Sequence, residues 1–245
     1  QGMVPFDGLP RLIEPERGWI GSANNQTAPD DFPYPLAGSW TPEDRFSRLS
    51  HLITELAPHT LETFLAMQTD VISERGQRAI EGIVSAIAEP RSLPEQDAIR
   101  ALAAWDGALT TDTVGGTIYN VFFWQWHLRV MQERFGPDRH HIAIDSGNGL
   151  SAALLHDNLA GWFPDDRARV AAIREAFSGA IDWLVRSQGD DPRNWAWGRL
   201  HTLGATHPAA RTPLQHLLFD IPSSPHQGGA STLAGSGVDG GDNLA

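Results

Sequence analysis

Gly18-Trp19-Ile20-Gly21-Ser22-Ala23-Asn24-Asn25, followed after a Pro-rich turn by Thr41-Pro42-Glu43-Asp44-Arg45, is the stretch on which the interpretation of this chain turns. Its first part is short, apolar and punctuated by glycine. That texture predicts a strand over 19–23 inside an opening, residues 1–40, that is otherwise loop-like and rich in Gly, Pro and Asp. The strand would end on two side-chain amides. The second part is a helix start, with Thr41 as cap, Pro42 at the first helical position and an acid three residues after the cap. Phe46, Leu49, Leu52, Ile53 and Leu56 then recur at spacings of three and four, the mark of one buried helical face.

Working outward, helices dominate. A second is predicted from Thr60, with Leu61, Phe64, Leu65, Met67 and Val71 as its apolar positions, and another over 79–88. Pro90 and Pro94 interrupt, and 94–104 forms a further helix that ends at Trp105-Asp106-Gly107. Residues 114–135 are apolar on more than one face through Ile118, Val121, Phe122, Phe123, Trp124, Trp126 and Leu128, as a central helix would be. Val170, Ile173, Phe177, Ile181 and Leu184 place a long helix over 164–186. Beyond Pro192 the texture changes: 194–201 alternates like a short strand, and the last 25 or so residues read as Gly-, Ser- and Pro-rich loop. With neither an internal repeat nor a clean linker, the pattern is that of one mixed α+β unit with a mainly helical body.

Composition removes several function classes. In 245 residues, 18 Lys and Arg face 30 acids, a net charge of -12, which argues against nucleic acid and against an acidic membrane surface as partners. The absence of cysteine excludes disulfides, zinc-thiolate sites and thiol nucleophiles. No apolar run approaches the roughly 20 residues of a bilayer span, so no membrane partner is expected. The first residues show neither a basic start nor an apolar signal core. Opening on Gln1 in loop-like sequence and closing on a Gly-rich stretch, the chain is expected to be a fragment of a longer protein.

Few residues carry chemistry. Side-chain amides such as Asn24 and Asn25 suit an oxyanion formed in acyl transfer, and equally they satisfy backbone groups in turns. For Asn25 the turn is the better reading. Arg45 is either a solvated residue paired with Asp44 or Glu43, or a partner of the amides. Trp105-Asp106-Gly107 reads as a packed helix end. His140 and His141 beside Asp138 point apart and lack a third ligand, and His201 and His207 lie six residues apart rather than at helical zinc spacing, so no metal site is assigned. Asp182 has Ser178, Gly179, Val185 and Arg186 where a second carboxylate would stand. Neither a Gly-x-Ser-x-Gly elbow nor a phosphate-cradling glycine loop occurs.

Four separated blocks nevertheless resemble, in order and rough spacing, the C-terminal half of a penicillin acylase beta chain. They are 18–25, 42–49 with Arg45, Leu102-Ala103-Ala104-Trp105-Asp106-Gly107, and Trp197-Gly198-Arg199-Leu200-His201 with His207-Pro208. The resemblance implies a mainly helical fragment of a four-layer αββα N-terminal nucleophile hydrolase. In it, 1–40 would be strand and loop with the oxyanion asparagine, 41–190 the helical body, and 191–245 a strand and Gly-rich tail. Members of that family cleave the amide bond of N-acyl compounds such as beta-lactam antibiotics and acyl-homoserine lactones. They use an acyl-enzyme on an N-terminal Ser whose own amino group is the base.

The resemblance assigns Asn24 to the oxyanion hole. It gives Arg45 a supporting role, orienting that amide or aiding precursor cleavage. The departures matter as much, because Gln1 is no nucleophile and the catalytic Ser does not occur in the matching place. The chain alone is therefore expected to be inactive. Its implied partners are a small N-acyl substrate, an alpha chain and the N-terminal part of the beta chain, in a periplasmic or secreted setting. The chemistry requires no cofactor. A structural calcium in the full enzyme would have to use Asp30 or Asp31, since Tyr34-Pro35-Leu36 stands where some members carry an acid. The rival expectation is a non-catalytic helical scaffold or interaction module derived from an acylase.

Overall fold

A computed structural model of the chain describes residues 3–37, 40–138 and 148–235. The architecture is α+β, with nine α-helices, three short 3-10 helices and one two-stranded sheet among the described residues. The helices are α1 (Asp44–Glu55), α2 (Leu61–Gln68), α3 (Glu74–Ala86), α4 (Leu93–Ala103), α5 (Gly115–Phe135), α6 (Asn148–Ala153), α7 (Asp166–Gln188), α8 (Trp197–Leu200) and α9 (Pro213–Phe219). The strands β1 (Thr202–Ala205) and β2 (Ile221–Pro225) pair antiparallel, with Thr202 opposite Pro225.

The core is built around α5. Its two-sided apolar run lies against α7 on one side and α4 on the other, and α3 closes the group. Phe122 meets Phe177 of α7 at 6.0 Å between ring centroids, and Tyr119 stacks on Trp105 at 5.4 Å. Trp126 stacks on Phe163 and donates its indole N–H to the Ser151 carbonyl at 2.7 Å, so the largest buried ring also has its polar atom satisfied. Gly107, with φ at 91°, turns the chain after α4. The Trp105 ring fits beside α3 because Gly76 has no Cβ; one placed there would stand 2.6 Å from the ring. Trp105-Asp106-Gly107 is thus a packed helix end.

Several boundaries and elements differ from the sequence expectation. Residues 19–23 form no strand: Ile20 is 65% exposed, and a strand exists only where a neighbour supplies its hydrogen bonds. α1 begins at Asp44 rather than at Pro42, with Glu43 at the cap position and no side-chain cap bond, while the Thr41 N–H donates to the Asn24 carbonyl at 2.9 Å. α3 starts earlier than predicted, at Glu74, where the Ser73 hydroxyl accepts from the Gly76 N–H. Residues 194–201 are a 3-10 turn and the short α8, not a strand. Trp195 and Trp197 are both fully buried there, so the alternation marks two buried rings rather than two faces of a sheet. The stretch read as terminal loop contains β2, and α9 before it went unforeseen. The expected surface loop at His140 and His141 lies outside the described residues.

The segment 226–235 is irregular yet firmly seated. The Gly228 N–H donates to the Leu109 carbonyl, the Ala234 N–H to the Asp70 carbonyl, and the Ser73 and Ser231 hydroxyls lie 2.7 Å apart. Trp197 donates to the Gly228 carbonyl at 2.8 Å. The buried His201 stacks on Trp197 with its Nδ1 2.8 Å from the His226 carbonyl, which makes it a packing residue. His207 lies in the turn after β1, where its backbone N–H donates to Asp220.

Candidate active site

Asn24 and Asn25 leave the chain in opposite senses. Asn25 is buried; its Oδ1 accepts from the Ala23 N–H at 3.0 Å and its Nδ2 donates to the Gln26 carbonyl at 3.0 Å, which closes the turn on itself. Asn24 is exposed and sits at φ 64°, the left-handed region that few residues other than glycine occupy and that asparagine tolerates best. Its carbonyl is held by Thr41 and its Oδ1 by Arg45, whose Nη2 donates at 2.8 Å across twenty-one residues of sequence. With Oδ1 engaged, the amide orientation is fixed. Its Nδ2 donates to no other group among the described residues, and that is the group Asn24 can offer outward.

Asn24 lines a cleft of about 460 Å³ together with Trp40, Thr41, Pro42, Arg75, Asn148 and Ala230. These residues come from the opening loop, the entry to α1, the first turn of α3, the start of α6 and the C-terminal segment. Arg45 follows Asp44 at the start of α1, and Arg75 follows Glu74 at the start of α3, so both stand at the second helical position. The exposed backbone N–H groups there act as roughly half a positive charge. Two cations and two positive helix ends therefore surround one neutral amide, in a chain whose net charge is -12.

Neither arginine is neutralised locally. Asp44 pairs with Arg78 and not with Arg45; Glu74 lies near His51 and Arg78. Among the described residues no acid pairs with Arg45 or Arg75, and the Nε of each is buried without a partner. Arg75 lies over the Phe123 ring at 4.6 Å. Behind it lies the buried Tyr119 hydroxyl, which faces the Arg75 side chain. Burial raises the Tyr119 pKa, against an opposing pull from the Arg75 charge.

The other sequence candidates do not converge here. Asp182 is exposed on α7, and Asp30 accepts a hydrogen bond from the Gln26 side chain. Among the described residues no group of three His, Cys, Asp or Glu side chains is placed to hold a metal ion, so Asp30 and Asp31 do not build a calcium site with other such residues. Sequence reasoning brought out Asn24 and Arg45, which the structure joins; it missed Arg75, Trp40, Asn148 and Ala230. A local signal for Arg75 does exist. A cation in the first turn of a helix opposes the helix dipole, and such conflicts cluster at functional sites.

The family model for penicillin amidase matches residues 1–243. The chain belongs to the penicillin amidase family. Among the curated proteins it is similar to are the acyl-homoserine lactone acylase QuiP of Pseudomonas aeruginosa and the penicillin acylase 2 proenzyme of Pseudomonas sp. strain SE83. The first is 23% identical over 232 residues, covering 82% of this chain and 27% of that protein. The second is 25% identical over 254 residues, covering 97% of this chain and 31% of that protein. The chain thus spans about a third or less of the curated relatives it matches. Among the described residues of this penicillin amidase relative no helix is long and apolar enough to cross a membrane.

Proposed function

We propose that the chain supplies the oxyanion side of an amidohydrolase that cleaves N-acyl compounds of the beta-lactam or acyl-homoserine lactone type. The observation that carries this is the Arg45 Nη2 to Asn24 Oδ1 hydrogen bond, which leaves the amide hydrogens of Asn24 as its only outward group. In the reaction a Ser hydroxyl, outside these 245 residues, attacks the acyl carbon and yields its proton to its own α-amino group. The carbonyl oxygen becomes an oxyanion that accepts from Asn24 Nδ2, in the positive field of Arg45, Arg75 and two helix ends. Collapse expels the amine, and water then releases the acid from the acyl-enzyme.

Within this proposal the remainder of the acylase, its alpha chain and the first part of its beta chain, covers the surface left apolar here. Leu61, Phe64 and Leu65 of α2 and Leu214, Leu217 and Leu218 of α9 all point to solvent. β2 is exposed along its whole length, and a lone two-stranded sheet is marginal in water. Strands from the remainder would extend it into the four-layer fold, with 1–40, 41–190 and 191–245 as loop, helical body and tail. A periplasmic or secreted setting goes with this reading.

The test uses the full-length protein and an acyl amide that releases a detectable amine. Asn24→Ala is expected to raise the barrier by about 2.7 to 4 kcal/mol, roughly a hundred- to a thousandfold in kcat, with a slightly lowered melting temperature, because alanine is strained at the left-handed φ of 64°. The 245-residue chain by itself is expected to release no acid. Wild-type turnover by the Asn24→Ala protein would sink the assignment.

A further inference from the structure

Arg75 enters the acyl-transfer reading only through its field; no hydrogen bond in that reading uses its guanidinium. Four observations on it converge. It stands at the positive end of α3, where the helix dipole disfavours its charge. Its Nε is buried without a partner, and no acid among the described residues pairs with it. Its guanidinium is fixed against the Phe123 ring at 4.6 Å. It lines the same cleft as Asn24, opposite no carboxylate, since the remaining walls are Trp40, Thr41, Pro42, Asn148 and Ala230. A half-buried guanidinium that no acid pairs with among the described residues is stabilised where an anion meets it. An arginine held flat presents a planar fork suited to a carboxylate.

We propose that Arg75 binds a carboxylate on the amine half of the substrate. The enzyme would then select N-acyl compounds whose leaving amine carries an acid close to the scissile amide, as a beta-lactam nucleus does, over those with a neutral lactone. The inference rests on the acylase reading of Asn24 and extends it to the leaving group. Trp40 supplies an apolar wall and Asn148 an amide for the rest of that group.

Opening the lactone ring of an N-acyl homoserine lactone by water leaves the acyl half unchanged and gives the leaving amine a carboxylate and a free hydroxyl, so this pair of substrates tests the added charge. In the full-length protein, the ratio of kcat/KM for the ring-opened acid to that for the lactone is expected to favour the acid. It should fall at least ~10-fold in Arg75→Met, chiefly through KM for the acid, and less in Arg75→Lys, which keeps the charge and loses the fork. A ratio unchanged in both variants overturns the proposal, even if overall rates drop, and leaves the acylase reading standing.

Calorimetric titration with the ring-opened N-acyl homoserine gives a readout without turnover, performed alongside melting curves that verify folding. Arg75-dependent binding in a protein that hydrolyses neither compound would support the anion site and defeat the acylase reading. Absence of both binding and turnover overturns the site.

Discussion

The helical core and the opening loop are built on different principles. Around α5 nearly every large side chain is buried: Ile83, Leu102, Ile118, Phe122, Trp126, Phe177 and Leu184 are wholly or almost wholly inaccessible. Residues 3–37, by contrast, expose Met3, Phe6, Ile13 and Ile20, and they hold their course by a few tethers to α1. Those tethers are the Asn24 link to Arg45, the Thr41 N–H on the Asn24 carbonyl, and Trp19 packed on Phe46 with Arg17 over both rings. The core is stabilised by packing that it carries itself. The loop that bears Asn24 takes its shape from the element it leans on, so stability and site geometry are separable properties here.

Phe122→Ala would test the first half of that contrast most severely. Removing a fully buried ring that meets Phe177 should cost about 3 to 5 kcal/mol of stability, read as a lowered denaturant midpoint. Any cost near that size from a change in residues 3–37 would break the comparison. Arg45→Met addresses the other half. It should leave the midpoint within about 0.5 kcal/mol while lowering kcat of the full-length protein about tenfold, about 1.4 kcal/mol, because Asn24 loses the partner that sets its amide.

The smallest effect sharpens the comparison at the sheet. Asp220 accepts from the His207 N–H at 2.8 Å and from His216, and these hydrogen bonds lower its pKa, the backbone one first. A carboxylate with a lowered folded pKa stabilises above its unfolded value and loses that contribution as pH falls through the folded one. The His207 amide should therefore stay protected from hydrogen exchange through neutral pH and exchange faster only below the usual carboxylate range. Asp220→Ala should abolish that pH step without a measurable change in the core.

How far the sequence discloses the molecule follows the same division. The helices α5 and α7 are legible because an apolar repeat sustained over 21 and 23 residues admits one geometry. Their ends were legible to within a few residues, since Asp165 caps α7 just as its type suggests. The strand expected at 19–23 failed because strands are decided by partners, which a local pattern does not contain. α9 was hidden for a related reason: with seven residues and Leu214, Leu217 and Leu218 all exposed, it shows no buried face. Asn24 and Arg45 were found as a pair by spacing and resemblance. The cleft they border was not, because Trp40, Arg75, Asn148 and Ala230 meet only through tertiary packing.

That construction has a consequence for how the chain matures. The cleft has no floor plan in any single stretch: Ala230 is synthesised more than two hundred residues after Asn24. Its last wall is pinned when the Ser231 hydroxyl reaches Ser73, a closure across 158 residues. A nascent or clipped chain lacking that final segment would still possess a packed α5 core and a tethered Asn24, yet would present an open trough. The segment 226–235 thus separates a packed core from a cleft that has all its walls.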